Sequence, residues 1–168
     1  MGATAPHPNA VLIERFYRAL GRRDADAMIA CYARDATFSD PVFRDLDAEG
    51  LAAMWRMLCA RGKDLAVVVS GVEADHAAGR AHWVARYTYS PTGRPVENRV
   101  DALFAFREGR IVRHVDRFDL WRWLRQALGA KGVLLGWLPP VQGAVRAQAA
   151  KALADWRAKN PGAGRAVE

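Results

Sequence analysis

Two carboxylates and one imidazole stand where they could move protons. Asp40 closes the stretch DATFSDPVF (35–43), a short alternating run that ends in an acid fixed before Pro41. Proline pushes its predecessor into extended backbone, so an Asp-Pro pair reads either as a strand terminator or as a carboxylate held at the mouth of a pocket. Asp116 lies in the middle of IVRHVDRF (111–118). Aspartate is disfavoured in mid-strand, which points to a side chain that faces inward and is used. His114 stands two residues before it and so shares its face of the strand. Carboxylates taken out of water rise in pKa, and a neighbouring like charge raises one of them further. A group tuned in that way exchanges protons near neutral pH.

Other chemistry finds little support. His7, His76 and His82 lack thiol or carboxylate companions at ligand spacing. Cys31 and Cys59 lie in helical stretches and read as small buried hydrophobes. No metal site, phosphate-cradling glycine loop or nucleophile arrangement is expected, and no cofactor is called for.

The elements that must position the acids follow from periodicity. Residues 9–21 show apolar spacing of a helix (Leu12, Ile13, Phe16, Tyr17, Leu20), with Asn9 as its expected cap and Gly21 at its end. A second helix follows Asp24 and carries Ala27, Met28, Cys31 and Tyr32. After the strand at 36–39, a third helix is predicted at about 48–61. The period then changes to two. Strands are predicted at 65–75, 79–90, 97–106 and 111–118, joined by the turns SPTGRP and REGR. Asp119 caps a Trp-rich helix that ends at Gly129. An apolar loop, AKGVLLGWLPP, leads to a last helix at 141–157. Helices and strands segregated in this way predict an α+β fold.

Of the 168 residues, 51% are hydrophobic and the formal net charge is +7. The charge is unevenly placed: from Leu120 onward eight Lys/Arg face two acids, a balance of +6, and the first 119 residues carry only +1. The chain shows no helix-turn-helix, zinc-finger or RNA-binding signature, so nucleic acid is not an expected partner. No apolar run reaches membrane-spanning length and MGATAPHPNA is no signal peptide, so a cytoplasmic location is expected.

Residues 9–120 resemble the nuclear-transport-factor-2-like superfamily, and within it the SnoaL-like group. The resemblance is carried by IERFYRAL with a following acid, ARDATFSDP, Gly50 at a helix start and REGRIVRHVDRFD at the end of the sheet, in that order and spacing. It implies a cone in which a curved antiparallel sheet wraps three N-terminal helices around an apolar pocket. It also implies homodimers paired through the outer face of the sheet, where Arg99 and Asp101 would lie. Residues 121–157 would form a C-terminal helical extension and 158–168 a tail without fixed structure.

Relatives in this superfamily include ketosteroid isomerase, polyketide cyclases and limonene-epoxide hydrolase, so the fold alone does not decide function. Asp40 falls at the isomerase's general-base aspartate, also written Asp-Pro. The isomerase's oxyanion tyrosine falls on Phe16 and its second acid on Ala102, so that oxyanion hole is missing. Asp116 falls at one of the epoxide hydrolase's catalytic aspartates, but that enzyme's arginine and second aspartate fall on Trp83 and Ala85.

Strand parity places Phe16, Phe38, Asp40, Trp55, Trp83, Tyr87, Val100, Phe104, His114, Asp116 and Phe118 inside such a cone. The expectation is cofactor-free isomerisation, cyclisation or dehydration of a hydrophobic, cyclic small molecule. Asp40 is the base, Asp116 the acid or orienter, and His114 an auxiliary. The alternative is a non-catalytic carrier of an apolar ligand. For the basic extension, packing on the domain or on a partner subunit is favoured over contact with a membrane surface.

Overall fold

The computed structural model describes residues 5–167; the first four residues and Glu168 lie outside the described residues. The chain order is α1 (Pro8–Gly21), α2 (Ala25–Ile29), β1 (Tyr32–Ser39), α3 (Ala48–Arg61), β2 (Ala66–Ala74), β3 (Ala78–Tyr89), β4 (Arg94–Arg107), β5 (Arg110–Arg117), α4 (Leu120–Leu128), α5 (Ala130–Leu135) and α6 (Pro139–Lys159).

The strands form one sheet in the order β1-β5-β4-β3-β2. β2 to β5 are an antiparallel meander, as the turns predict, while β1 pairs β5 in parallel and makes the sheet mixed rather than antiparallel throughout. The parallel pair is what matters for the site. It sets Phe38 beside His114 and Ser39 beside Val115.

Against the inner face lie α1 and α3, whose apolar stripes are buried: Leu12, Ile13, Phe16, Tyr17 and Leu20 on α1, Leu51, Met54 and Trp55 on α3. Helix α1 approaches β3 so closely that a Cβ on Gly79 would stand 2.9 Å from both Ile13 Cδ1 and Phe106 Cε2. Helices α2, α3 and α4 each begin where a side chain replaces the missing backbone partner. Asp24 accepts from the Ala27 N–H, Asp47 from Gly50 and Asp119 from Arg122.

Three local expectations change. His7, not Asn9, caps α1, because Pro8 starts the helix; the Asn9 amide instead donates to the Asp75 carbonyl at 2.8 Å. Tyr32 belongs to β1 rather than to α2, which ends at Ile29. The apolar segment after Gly129 is not a loop but carries the short helix α5, whose Gly132 and Gly136 allow it to dock on α4.

The segment after α6 is held rather than loose. The Arg56 guanidinium donates to the carbonyls of Ala163 at 2.6 Å and Arg165 at 2.8 Å, and Ala163 is buried against the core. Helix α6 reaches the domain through Leu153 and Trp156, and Arg157 pairs with Glu49 of α3 at 3.1 Å.

Candidate functional site

Strand β5 carries two of the predicted groups inward, and both are buried. His114 is fully enclosed and Asp116 is 4% exposed. Around the imidazole stand the rings of Phe104, Phe38 and Phe16, with centroids at 4.4, 5.1 and 5.5 Å, while Tyr32 and Trp55 stack on it at 6.1 and 6.3 Å. These neighbours come from α1, β1, α3 and β4, so every inner element contributes to the box.

Both imidazole nitrogens are occupied. Nδ1 meets the Tyr32 hydroxyl at 2.7 Å and Nε2 meets Asp116 Oδ1 at 2.9 Å. The Trp55 indole N–H donates to the same hydroxyl oxygen at 3.2 Å. Tryptophan can only donate, so the Tyr32 oxygen is the acceptor there, and a carboxylate can only accept, so Nε2 is the donor toward Asp116. The Tyr32 oxygen accepts from Trp55, its proton goes to His114 Nδ1, and the Nε2 proton goes to Asp116. The tautomer is inferred from this network. His114 is thereby a positioning group that holds Asp116, and the second oxygen of Asp116 has no hydrogen bond among the described residues.

Asp40 sits at the end of β1 with its carboxyl tucked into the loop that follows. Its Oδ1 accepts from the backbone N–H groups of Val42 and Phe43, each at 2.6 Å. Burial raises this carboxyl to about 7; the two N–H bonds oppose the rise, and the nearby charge of Asp116 adds a smaller upward push. The side chain remains half-buried, so it keeps a route to solvent. Helix α6 closes over the loop, with Arg146 Nε donating to the Pro41 carbonyl at 2.8 Å.

Phe16, Phe38, Trp55, Trp83, Val100 and Phe104 are buried, and Tyr87 and Phe118 half-buried. The structure gathers Phe16, Phe38, Trp55 and Phe104 around His114. Trp83 stands apart, packed on Tyr17 at 5.4 Å and paired across the sheet with Val100. Tyr87 accepts from the Trp123 indole of α4 at 2.7 Å, and its hydroxyl is raised to about 12, chiefly by burial and in small part by Asp40.

Sequence reasoning missed two tyrosines. Tyr32 was assigned to a helix, and Tyr17 read as one more apolar position on α1. Yet the Tyr17 hydroxyl and the Trp83 indole N–H are buried with no hydrogen-bond partner among the described residues. Burial holds the Tyr17 hydroxyl well above its usual range, and the Asp116 and Tyr32 charges add to this.

A buried hydroxyl without a partner costs about 1–3 kcal/mol. Tyr17→Phe is therefore expected to leave thermal stability unchanged or slightly raised. A fall of more than about 1 kcal/mol in urea unfolding would mean that the hydroxyl is already satisfied within the protein.

Two surface clefts are lined by neither of the two acids. One of about 370 Å³ opens between α1 and β2 and includes Tyr17, Val69 and Gly71. The other, about 400 Å³, is lined by Tyr87, Val96 and Gln126 among others. Among the described residues no cluster of His, Cys, Asp or Glu is arranged to hold a metal ion.

Known proteins share this fold. The family model described as the SnoaL-like domain covers residues 13–114. IdmH from Streptomyces antibioticus, a proposed polyketide cyclase, is 27% identical over 74% of this chain and 100% of its own, with a TM-score of 0.62. A proposed polyketide cyclase from Xanthomonas campestris pv. campestris is 21% identical over 71% of this chain and 96% of its own, with a TM-score of 0.60. An LEH-like epoxide hydrolase from M. tuberculosis is 22% identical over 79% and 96%, with a TM-score of 0.57. No curated protein matches. The last two show the shared fold and nothing finer. With an α+β architecture and a family model that matches more than half of its length, the chain belongs to the SnoaL-like family.

Proposed function

We propose that this chain is a small-molecule enzyme that performs cofactor-free acid/base chemistry on a hydrophobic, cyclic substrate. The observation that carries the reading is Asp40, a carboxyl raised to about 7 at the edge of an aromatic interior that also holds Asp116. A base titrating near neutral pH combines a useful deprotonated fraction with a useful affinity for the proton. In this reading the Asp40 carboxylate takes a proton from an acidic C–H next to a substrate carbonyl. The negative charge moves to the carbonyl oxygen as the enolate forms. Asp40 then returns the proton to a new carbon in an isomerisation, or to a departing hydroxyl in a dehydration; in a ring closure the enolate carbon adds to a second carbonyl carbon of the substrate, whose C=O π electrons move to its oxygen, and that oxygen takes the proton. Asp116, held by His114, offers its free oxygen as the second acid or as an orienting group.

The same reading makes the chain a cytoplasmic homodimer paired through the outer face of β3 to β5. That face carries the cross-strand pairs His82–Asp101 and Arg86–Glu97, with exposed Leu103 among them. A second reading, a non-catalytic carrier, is favoured by one observation: neither cleft reaches Asp40 or Asp116.

A panel of cyclic ketones, epoxides and polyketide mimics distinguishes the two readings. With the parent chain and Asp40→Asn side by side, the enzyme reading expects turnover by the parent, a loss of about 10²–10⁴-fold in the variant, and retained ligand binding. Binding by both proteins with turnover by neither would establish the carrier.

A further inference from the structure

From Leu120 to Ala154 the chain holds five Lys/Arg and no acid. In the middle of that stretch lies α5. Gly132 and Gly136, one turn apart, face α4: a Cβ on Gly132 would run into the Leu124 carbonyl oxygen, and one on Gly136 would stand 3.1 Å from the Trp121 ring. With the glycine side turned inward, the large apolar residues point out. Leu134 is 70% exposed, Trp137 58%, and Val133 and Leu135 about half. Trp121 lies partly exposed beside them, with the Arg125 guanidinium stacked over its ring at 4.6 Å. Exposed Lys131 sits at the start of the same helix.

We infer that this tip docks on the surface of an anionic lipid bilayer. Apolar side chains with tryptophan at the centre and cations at the rim match a membrane interface, where the rings enter the headgroup boundary and the cations meet lipid phosphates. Charge argues against a second copy as the occupant, since two such tips would bring cations against cations with no acid between them. No described helix is long and apolar enough to cross a membrane, so the contact is peripheral. Packing, the favoured reading of the extension from sequence, holds for α6 through Leu153 and Trp156; α5 is the part that packing leaves over.

The test is flotation of the purified chain with vesicles of phosphatidylcholine alone or mixed with phosphatidylglycerol. Binding is expected only to the mixed vesicles and should weaken as salt rises. The pair Leu134→Ser and Trp137→Ser removes two exposed side chains, so folding should be kept, verified by an unchanged thermal midpoint. It should reduce binding at least about tenfold, since one such side chain buried is worth about 1.5–3 kcal/mol. Arg125→Glu with Lys131→Glu should remove the preference for phosphatidylglycerol. No flotation with either vesicle, or flotation unchanged in the serine pair, would overturn the proposal. So would sedimentation showing that the serine pair converts a dimer into a monomer, because a second copy would then be the occupant.

Discussion

Asp40→Asn is expected to be more stable than the parent chain above neutral pH and equal to it in acid. The folded carboxyl titrates at about 7, whereas an unfolded aspartate titrates at about 3.9. A raised folded value means that the native state binds the proton more tightly than the unfolded chain does. Its contribution is therefore fully present below about pH 4 and is lost as pH rises through about 7. Asparagine keeps the oxygen that accepts from Val42 and Phe43, but it carries no charge to bury. Discounted for the partial exposure of Asp40, the difference should reach about 2–3 kcal/mol at pH 8, at about 1.4 kcal/mol per unit. Urea unfolding of both proteins between pH 4 and 8 measures it. Parallel curves across that range would show Asp40 to be solvated and titrating normally, and would leave a strand terminator in place of a base.

The second large effect concerns the buried chain from Trp55 to Asp116. His114→Leu should cost about 3–5 kcal/mol, because it leaves a buried carboxylate without its partner. The Tyr32 hydroxyl loses its acceptor in the same step. Set against a total stability of about 5–15 kcal/mol, one substitution would remove a third or more. Asp116→Leu alone should also be costly. The double variant should recover about 0.5–3 kcal/mol relative to the sum of the two, because the orphaned charge is gone. A double-mutant cycle in urea settles this, and strict additivity would show that the 2.9 Å contact carries no coupling.

How far the site was legible depends on which physical rule wrote each residue. Strand parity put His114 and Asp116 on one inner face, since the period of two admits no other result once one face is buried. Phe104 and Phe38 followed from the same rule. Asp40 was legible because proline restricts its backbone, which is a local effect. The parallel pairing of β1 with β5 was not legible, because nothing in a run of eight residues says which distant edge it will join. Tyr32 was misplaced for a related reason: a residue just past a five-residue helix fits helical spacing by chance. The role of Tyr17 could not be read from periodicity at all. The stripe shows that a ring is buried, not whether its hydroxyl meets a partner. The helix α5 was hidden by two glycines and two prolines, residues that normally mark a loop; here the glycines serve the close approach to α4.

The parallel β1–β5 pair has a consequence for synthesis. Tyr32 and His114, joined by a 2.7 Å bond in the finished fold, are 82 positions apart. While the ribosome is making α3 and the first three strands of the meander, β1 has no neighbour, and Tyr32 and Phe38 have nothing to pack on from that side. Long-range pairing of this kind is slow because the intervening chain must be ordered before the contact rewards it. A nascent chain halted before β5 therefore displays a bare strand edge flanked by aromatic rings, the form in which chains most readily join one another. Its acid network closes only when β5 is inserted between β1 and β4, so the first strand to be made waits for the last one.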